Sequence, residues 1–250
     1  MRFAKLHGLG NDFVLLDLRQ GGETLPQGRV AEVCDRHRGI GADGVLTLLP
    51  GNRMVVQNAD GSVPEMCGNG ARCAALWIAT DGCTRPAERM VTLLTDVGPR
   101  PCAVEAAAPR EGLVEVEMGI AEVGRPRELA GHRAWPVSMG NPHRVIFGET
   151  RLAAELGPAL CRQENANIEF AVKLGPERYD VAVFERGAGL TQACGTGACA
   201  VAAAAVAQED ARRDRDITVQ LPGGELTIRV GTDDRVRMRG PAQLVYLGEI

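Results

Sequence analysis

The apolar residues of this sequence fall into short runs, mostly rich in Val and Leu, that end at Gly, Pro or Asn. Runs of this length and composition are typical of strands. In the first half of the chain they predict strands at Phe13–Asp17, Val45–Leu49, Met54–Gln57, Val91–Thr95, Cys102–Ala106 and Leu113–Met118. In the second half they predict strands at Trp135–Ser138, Arg144–Phe147, Ile168–Lys173, Tyr179–Phe184, Ile217–Gln220, Glu225–Val230, Arg235–Arg239 and Leu244–Leu247.

Helices are predicted at fewer places. Two alanine-rich runs, Ala71–Thr80 and Ala198–Gln208, have helical composition, and shorter helices are expected at Arg29–Arg38 and Leu152–Leu160. Residues 200–207 are apolar on every face of a helix, so that helix is predicted to be buried on most sides. Each half of the chain therefore holds one long helix of small residues, which a curved sheet wrapped around it would bury.

Turn residues divide the chain further. Hairpin turns are predicted at residues 99–101, 222–224 and 231–234, where Pro and Gly supply the required backbone angles. A stretch interrupted by Gly and Pro at residues 119–126 is the expected boundary between two lobes, residues 1–119 and residues 120–240. The predicted fold class is α+β (α/β).

Two short stretches of the sequence are near copies of each other. Cys-Gly-Asn-Gly-Ala-Arg-Cys at residues 67–73 reappears, 127 positions later, as Cys-Gly-Thr-Gly-Ala-Cys at residues 194–199. Gly-Asn-Asp-Phe at residues 10–13 has a weaker echo, 130 positions on, in Gly-Asn-Pro-His at residues 140–143. Offsets near half the chain length indicate two pseudo-symmetric lobes, each with one cysteine at the start of a helix.

A cysteine at a helix start is suited to proton transfer. Unpaired backbone N–H groups and the helix dipole favour the thiolate, so the pKa of Cys67 and of Cys194 is predicted to fall below the usual value. Inverting an α-carbon requires one group to remove a proton and another to deliver one on the opposite face. A duplicated thiol therefore predicts a racemase or epimerase that works without a cofactor.

Composition excludes several other classes. The net charge is −4 and no basic block is present, which argues against a nucleic-acid or anionic-membrane surface. The sequence contains no run of 18 apolar residues, so no membrane span is predicted. The first residues lack the apolar core of a signal peptide. The expected location is the cytoplasm, where eight cysteines do not form a disulfide framework.

Metal and cofactor sites are not predicted. The cysteine pairs of the two motifs leave five and four intervening residues, where structural zinc sites usually leave two. Cys34, Cys83, Cys102 and Cys161 are expected to be ordinary small buried or half-buried residues. Pyridoxal phosphate would need a Schiff-base lysine, but Lys5 and Lys173, the two lysines of the chain, lie in no phosphate-binding pattern. There is no P-loop or dinucleotide fingerprint.

The sequence resembles the diaminopimelate epimerases, which interconvert LL- and meso-diaminopimelate without a cofactor. Seven segments in family order carry the resemblance, at residues 5–13, 38–44, 58–62, 66–73, 138–143, 185–197 and 221–224. The resemblance implies two lobes, each a curved, mostly antiparallel sheet around a central helix, with the active site in the cleft between them. It also implies that residues 241–250 return to the first lobe and that the protein is a homodimer.

The resemblance further implies the roles of individual residues. Cys67 and Cys194 would be the acid/base pair. Gly68, Asn69, Gly195 and Thr196, with Asn11, would hold the reacting carboxylate. The distal amino-acid end would be read by Asn58, Asn141, Asn167, Glu185 and Arg186. Arg186 suits a carboxylate and Glu185 an ammonium group, and His143 and Glu185 are candidates for contact with the thiols.

Two departures and two alternatives accompany this interpretation. Gly44 stands where some relatives carry glutamine, and residues 63–65 vary the loop before Cys67. A proline or hydroxyproline racemase shares the two-thiol logic, but a pair such as Glu185 and Arg186 favours a substrate with a second charged end. In a different class, a thiol redox or metal-binding protein would use Cys67 and Cys194 together with Cys73 and Cys199.

Overall fold

The computed structural model describes residues 1–64 and 66–250, so Glu65 of the variant loop lies outside the described residues. The chain forms two compact units. Unit 1 comprises Met1–Val116 and Gly240–Ile250, and unit 2 comprises Glu117–Arg239. For comparison, the two lobes predicted from the sequence are residues 1–119 together with residues 241–250, and residues 120–240.

The described residues form seventeen strands and five α-helices, with one 3₁₀ turn at Pro50–Asn52. In chain order they are β1 (Arg2–Gly8), β2 (Asn11–Asp17), α1 (Gln27–Cys34), β3 (Gly44–Leu49), β4 (Arg53–Asn58), α2 (Gly68–Ala79), β5 (Ala87–Thr95), β6 (Gly98–Ala108), β7 (Glu111–Ile120), β8 (Glu122–Val123), β9 (Arg127–Leu129), β10 (His132–Ser138), β11 (Pro142–Phe147), α3 (Leu152–Glu155), α4 (Gly157–Glu164), β12 (Asn167–Gly175), β13 (Arg178–Glu185), β14 (Gly189–Leu190), α5 (Gly195–Ala207), β15 (Asp216–Leu221), β16 (Gly224–Val230) and β17 (Arg235–Glu249). The fold is therefore α+β and dominated by sheet, as predicted.

Unit 1 is a mostly antiparallel sheet packed on α2. The pairs β1–β2, β3–β4, β5–β6 and β6–β7 are antiparallel, whereas β2–β3 and β4–β5 are parallel. Helix α2 packs against β1, β5 and β6, and all but one of its residues are buried. Residues 243–249 of β17 pair with β1, so unit 1 is built from two separate parts of the chain.

Unit 2 repeats this style around α5. The pairs β10–β11 and β12–β13 and the hairpin β15–β16 are composed of neighbours in sequence, with parallel pairs at β11–β12 and β13–β15. Helix α5 packs against strands that include β10, β11, β12 and β16. Residues 195–205 are all buried, which confirms the prediction that this helix is buried on most sides.

The predicted strands are found, except that Arg235–Arg239 and Leu244–Leu247 are parts of one strand, β17. Strands β1, β8, β9 and β14 were not predicted. The apolar pattern of β1 is broken by Lys5, whose side chain is buried against Asp12. The turn predicted at residues 99–101 is wrong, because both prolines lie within β6. They are tolerated there because pairing of β6 with β7 begins only at Cys102, so neither proline needs to donate to that neighbour.

Two predicted helices have different limits. Helix α1 ends at Cys34 rather than Arg38, because the chain turns back over the helix end. A Cβ on Gly39 would lie 2.1 Å from the Glu32 carbonyl oxygen, so only glycine fits this close approach. The helix predicted at residues 152–160 is two helices that meet at Leu156, with Pro158 in the first turn of α4.

The four cysteines without motif context, Cys34, Cys83, Cys102 and Cys161, are buried, as predicted. Across the described part of the chain, no helix has the length and apolar character needed to span a membrane.

Candidate active site

Each copy of the duplicated motif forms the same local structure, which we call a cysteine half-site: the cysteine and the first turn of the helix that follows it. Cys67 is the N-cap of α2, and its Sγ accepts a hydrogen bond from the Gly70 N–H at 3.3 Å. Cys194 is the N-cap of α5, and its Sγ accepts from the Gly197 N–H at 3.4 Å. The predicted N-cap position of both cysteines is confirmed.

The second glycine of each motif is required by the closeness of the sulfur. A Cβ on Gly70 would lie 3.3 Å from Cys67 Sγ and 2.8 Å from a Leu46 methyl carbon. A Cβ on Gly197 would lie 3.2 Å from Cys194 Sγ. The absence of a side chain therefore lets the thiol reach the N–H groups of the first turn, where a helix stabilises negative charge.

The two thiols differ in their surroundings. Cys67 is partly exposed, whereas Cys194 is 4% exposed. Burial raises the pKa of Cys194 well above its usual range, and the nearby Glu185 and Glu169 carboxylates raise it further. The prediction of a lowered pKa is wrong for Cys194, because loss of water and two acidic neighbours outweigh the helix N-terminus.

Glu185 interacts with the Cys194 thiol as well as with the Thr191 hydroxyl. Burial raises the pKa of Glu185, although hydrogen bonds from Thr191 and Cys194 act in the opposite direction. A carboxylate with a raised pKa beside a thiol is a suitable acceptor for the thiol proton. Glu185 is therefore placed for contact with a thiol, which is one of the two roles predicted for it.

A series of hydrogen-bonded polar side chains extends from the first turn of α5 to strands β11 and β12. Cys194 Sγ lies 3.6 Å from the Thr196 hydroxyl, which accepts from the Asn141 side-chain amide at 3.2 Å. The side-chain oxygen of Asn141, Oδ1, lies 3.0 Å from His143 Nε2. His143 Nδ1 in turn lies 2.6 Å from a carboxylate oxygen of Glu169, and both side chains of this pair are fully buried.

Asn167 and Arg186 also meet within unit 2. The Arg186 N–H donates to the Asn167 side-chain oxygen at 2.8 Å, and the guanidinium of Arg186 donates to Asn165 at 3.5 Å. Asn167 opens β12 beside His143, its partner residue on β11. The site residues predicted in the second half of the sequence thus lie at the N-terminus of α5 or at and beside the ends of β11, β12 and β13, and hydrogen bonds connect Asn141 to Thr196 and to His143.

Unit 1 has a corresponding series of hydrogen-bonded side chains beside α2. Asn69, in the first turn of α2, donates to the Asn11 side-chain oxygen at 3.0 Å, and Asn11 donates to Asp43 at 2.9 Å. Asn58 stands apart from these bonds, because it donates to the Ser62 hydroxyl at 3.0 Å in the turn after β4. Gly44, the residue after Asp43, is the first residue of β3. A Cβ on Gly44 would lie 2.5 Å from the Gln57 carbonyl oxygen, so a side chain there requires a shift of the β3–β4 pairing.

Three residues of these hydrogen-bonded series were not predicted, namely Asp43, Glu169 and Thr191. A signal existed for Glu169, which is an acidic residue in an otherwise apolar strand run between Ile168 and Phe170. Asp43 lies within one of the seven family segments but carried no assigned role. Thr191 likewise lies within a family segment, residues 185–197, but carried no assigned role.

The sequence is similar to known proteins over nearly its whole length. The sequence model described as diaminopimelate epimerase matches residues 3–123 and 136–245. A diaminopimelate epimerase of Synechocystis sp. is 42% identical over 284 aligned positions, covering 100% of this chain and 98% of that protein. A diaminopimelate epimerase of Desulfitobacterium hafniense is 39% identical, covering 99% of this chain and 97% of that protein.

Solved structures agree on the fold at lower identity. A predicted epimerase from Pseudomonas aeruginosa has a TM-score of 0.79 at 19% identity and covers 100% of this chain and 98% of its own. A hydroxyproline epimerase from Agrobacterium vitis, solved with trans-4-hydroxy-L-proline, has a TM-score of 0.76 at 14% identity and covers 100% of this chain and 90% of its own. At this level of identity the likeness extends to the fold alone.

Proposed function

This chain belongs to the diaminopimelate epimerase family, and on that premise we propose that it interconverts LL- and meso-2,6-diaminopimelate by two-base proton transfer at the α-carbon. The observation that carries the proposal is the pair of matching half-sites. In each of them the cysteine sulfur, of Cys67 or of Cys194, accepts a hydrogen bond from a backbone N–H at a helix N-terminus. Members of this family are isomerases of lysine biosynthesis.

In the proposed mechanism one cysteine starts as thiolate and removes the α-proton, and the other starts as thiol and delivers a proton to the opposite face. No cofactor or metal takes part. When Cys194 is the base, its own proton passes to Glu185, the carboxylate that interacts with its thiol. The N–H groups at the two helix N-termini stabilise the negative charge that develops on the substrate carboxylate.

The remaining site residues are proposed to bind the substrate. Gly68, Asn69, Gly195 and Thr196 hold the reacting carboxylate through the helix N-termini, and Asn11 assists them. The distal amino-acid end is bound by Asn58, Asn141, Asn167, Glu185 and Arg186. The proposal includes a cytoplasmic location and a homodimer.

The test measures α-proton exchange by proton NMR, with reduced protein and LL-diaminopimelate in D₂O. Wild type is expected to place deuterium at an α-carbon while meso product forms. Cys67→Ser and Cys194→Ser should each slow this turnover by about 10²- to 10⁴-fold, the usual contribution of a general acid or base. Cys73→Ser and Cys199→Ser change buried cysteines inside the same helices, so they serve as matched controls and should retain activity.

Near-normal turnover in either Cys67→Ser or Cys194→Ser would contradict the two-base mechanism. Exchange at the α-carbon of proline or hydroxyproline instead of diaminopimelate would move the substrate to the racemase alternative. Stoichiometric zinc, or reversible disulfide cycling without turnover, would support the redox or metal-binding class.

A further inference from the structure

Residues 38–44, one of the seven family segments, have no role in the proposed mechanism, yet they carry Asp43 to the Cys67 half-site. The segment leaves α1 through a close approach at Gly39 and a positive φ of 77° at Gly41. It then pairs with β2, where the Asp43 N–H donates to the Asp12 carbonyl oxygen at 2.9 Å. The backbone of Asp43 is thus fixed beside Asn11 and Asp12.

The Asp43 carboxylate is surrounded by donors on both oxygens. Oδ2 accepts from the Asn11 side-chain amide at 2.9 Å and from the Asp12 N–H at 3.1 Å. Oδ1 accepts from Arg36 at 2.8 Å. The carbonyl oxygen of Asp43 also accepts from the Ala59 N–H at 3.1 Å, which ties the turn after Asn58 to the same residue.

An ionised carboxylate can only accept hydrogen bonds, and this sets the direction of the hydrogen-bonded series. Because Asn11 turns its NH₂ group to Asp43, its carbonyl oxygen faces α2 and accepts from Asn69 at 3.0 Å. Rotating the Asn11 amide by half a turn would place two carbonyl-type oxygens together at Asp43 and two NH₂ groups together at Asn69. The orientation of both amides therefore depends on the acceptor at residue 43.

The charge of Asp43 is offset locally. Arg36 bonds to both Asp43 and Asp12, and Asp12 also pairs with the buried Lys5. Around Asp43 the two acids and two bases form one cluster of ion pairs.

We propose that Asp43 is a positioning residue that fixes the amides of Asn11 and Asn69 in the orientation that receives the reacting carboxylate. The inference rests on the proposed function, because it concerns the same substrate. It assigns residues 38–44 the task of carrying this acceptor to the first turn of α2.

The test compares three substitutions at one position. Asp43→Leu keeps the branched shape but removes the acceptor, so kcat/KM for diaminopimelate is expected to fall by about 10- to 100-fold, mainly through a higher KM. Asp43→Asn keeps a carbonyl oxygen for Asn11 and the Asp12 N–H and should stay within about fivefold of wild type. Asp43→Ala removes the acceptor without adding apolar bulk and should behave as Asp43→Leu does.

Arg36→Ala is the matched control, because it removes the ion pair and leaves the Asn11 bond in place. A half-exposed ion pair contributes little, so kcat/KM should change by no more than about fivefold. A purely structural defect would lower the active fraction and hence kcat, with KM unchanged. Equal KM values for Asp43→Leu, Asp43→Ala and Asp43→Asn would overturn the proposal.

A second measurement does not depend on turnover. In ¹H–¹⁵N spectra, the side-chain NH₂ signals of Asn11, assigned with Asn11→Ala, are expected to shift in Asp43→Leu and to stay near their wild-type positions in Arg36→Ala. Unchanged Asn11 signals in Asp43→Leu would refute the orienting role. If wild type fails to exchange diaminopimelate while these shifts appear, the proposed function fails and the orienting role of Asp43 stands.

Discussion

Adding one methyl group at Gly197 tests whether the closeness of thiol and helix matters for activity. The new Cβ would lie 3.2 Å from Cys194 Sγ and 3.0 Å from a Glu169 carboxylate oxygen, so these atoms must shift by a few tenths of an ångström, and a shift of the thiol weakens its hydrogen bond from the Gly197 N–H. A hydrogen bond to a charged group contributes about 1.5–3 kcal/mol, and its loss from the thiolate corresponds to about 10- to 100-fold lower turnover.

Stability should change much less than activity in Gly197→Ala. Alanine in a helix is favoured over glycine by up to about 1 kcal/mol, whereas overpacking costs about 1–3 kcal/mol. The net change in the free energy of unfolding is therefore expected to be a loss of about 0–2 kcal/mol. Gly28→Ala is the control, because a Cβ on this residue of α1 would meet no atom within 4 Å. It should leave turnover unchanged.

The assays are urea unfolding and α-proton exchange in D₂O, both on reduced protein. Gly70→Ala repeats the test in unit 1, where the new Cβ would lie 3.3 Å from Cys67 Sγ. If Gly197→Ala turns over within about twofold of wild type, less than the loss of even a weak hydrogen bond, the argument from the sulfur–N–H contact is refuted.

Three further predictions concern stability. Tyr179→Phe should hold or raise the free energy of unfolding in urea by up to about 1 kcal/mol, because the buried Tyr179 hydroxyl has no hydrogen-bond partner among the described residues; a loss above 1 kcal/mol would contradict this. Burial would raise the pKa of Asp12, but hydrogen bonds from Arg36 and Lys5 lower it to about 2. About 2 kcal/mol of stability should therefore be present above pH 4 and lost as the pH falls toward 2, and acid titration of Asp12→Asn should lack this loss. Burial raises the pKa of Cys73 and of Cys102 from 9.0 to about 12, so each stabilises the fold fully below pH 9 and loses up to about 1.4 kcal/mol per pH unit above it. Cys102→Ala should unfold with a weaker alkaline dependence, and an unchanged pH profile would count against this account.

Local chemistry explains which parts of the site could be predicted. An N-cap is determined by a few adjacent residues, so the duplicated Cys-Gly motifs were sufficient to predict both half-sites. The raised pKa of Cys194 could not be predicted in the same way, because its causes are burial and two carboxylates, Glu169 on β12 and Glu185 on β13. Those groups reach the sulfur only through the packing of the sheet on α5.

The errors in the fold have a similar origin. Residues 99–101 read as a turn because two prolines are close together, and only the pairing of β6 with β7 reveals that the prolines are tolerated in a strand. Strand β1 was missed because Lys5 interrupts its apolar pattern, and its ion pair with Asp12 depends on the neighbouring strand β2. Tertiary contacts thus decided each of these positions against the local pattern.

Because unit 1 is divided between two parts of the chain, its sheet can be completed only after unit 2 has been synthesised. Unit 2 is continuous in sequence, so all its residues are synthesised before residues 243–249. Until then β1 lacks its partner in β17, and its backbone groups on that side are open to pairing with other chains. The sequence of unit 2 is therefore complete before the segment that pairs with β1 has been made.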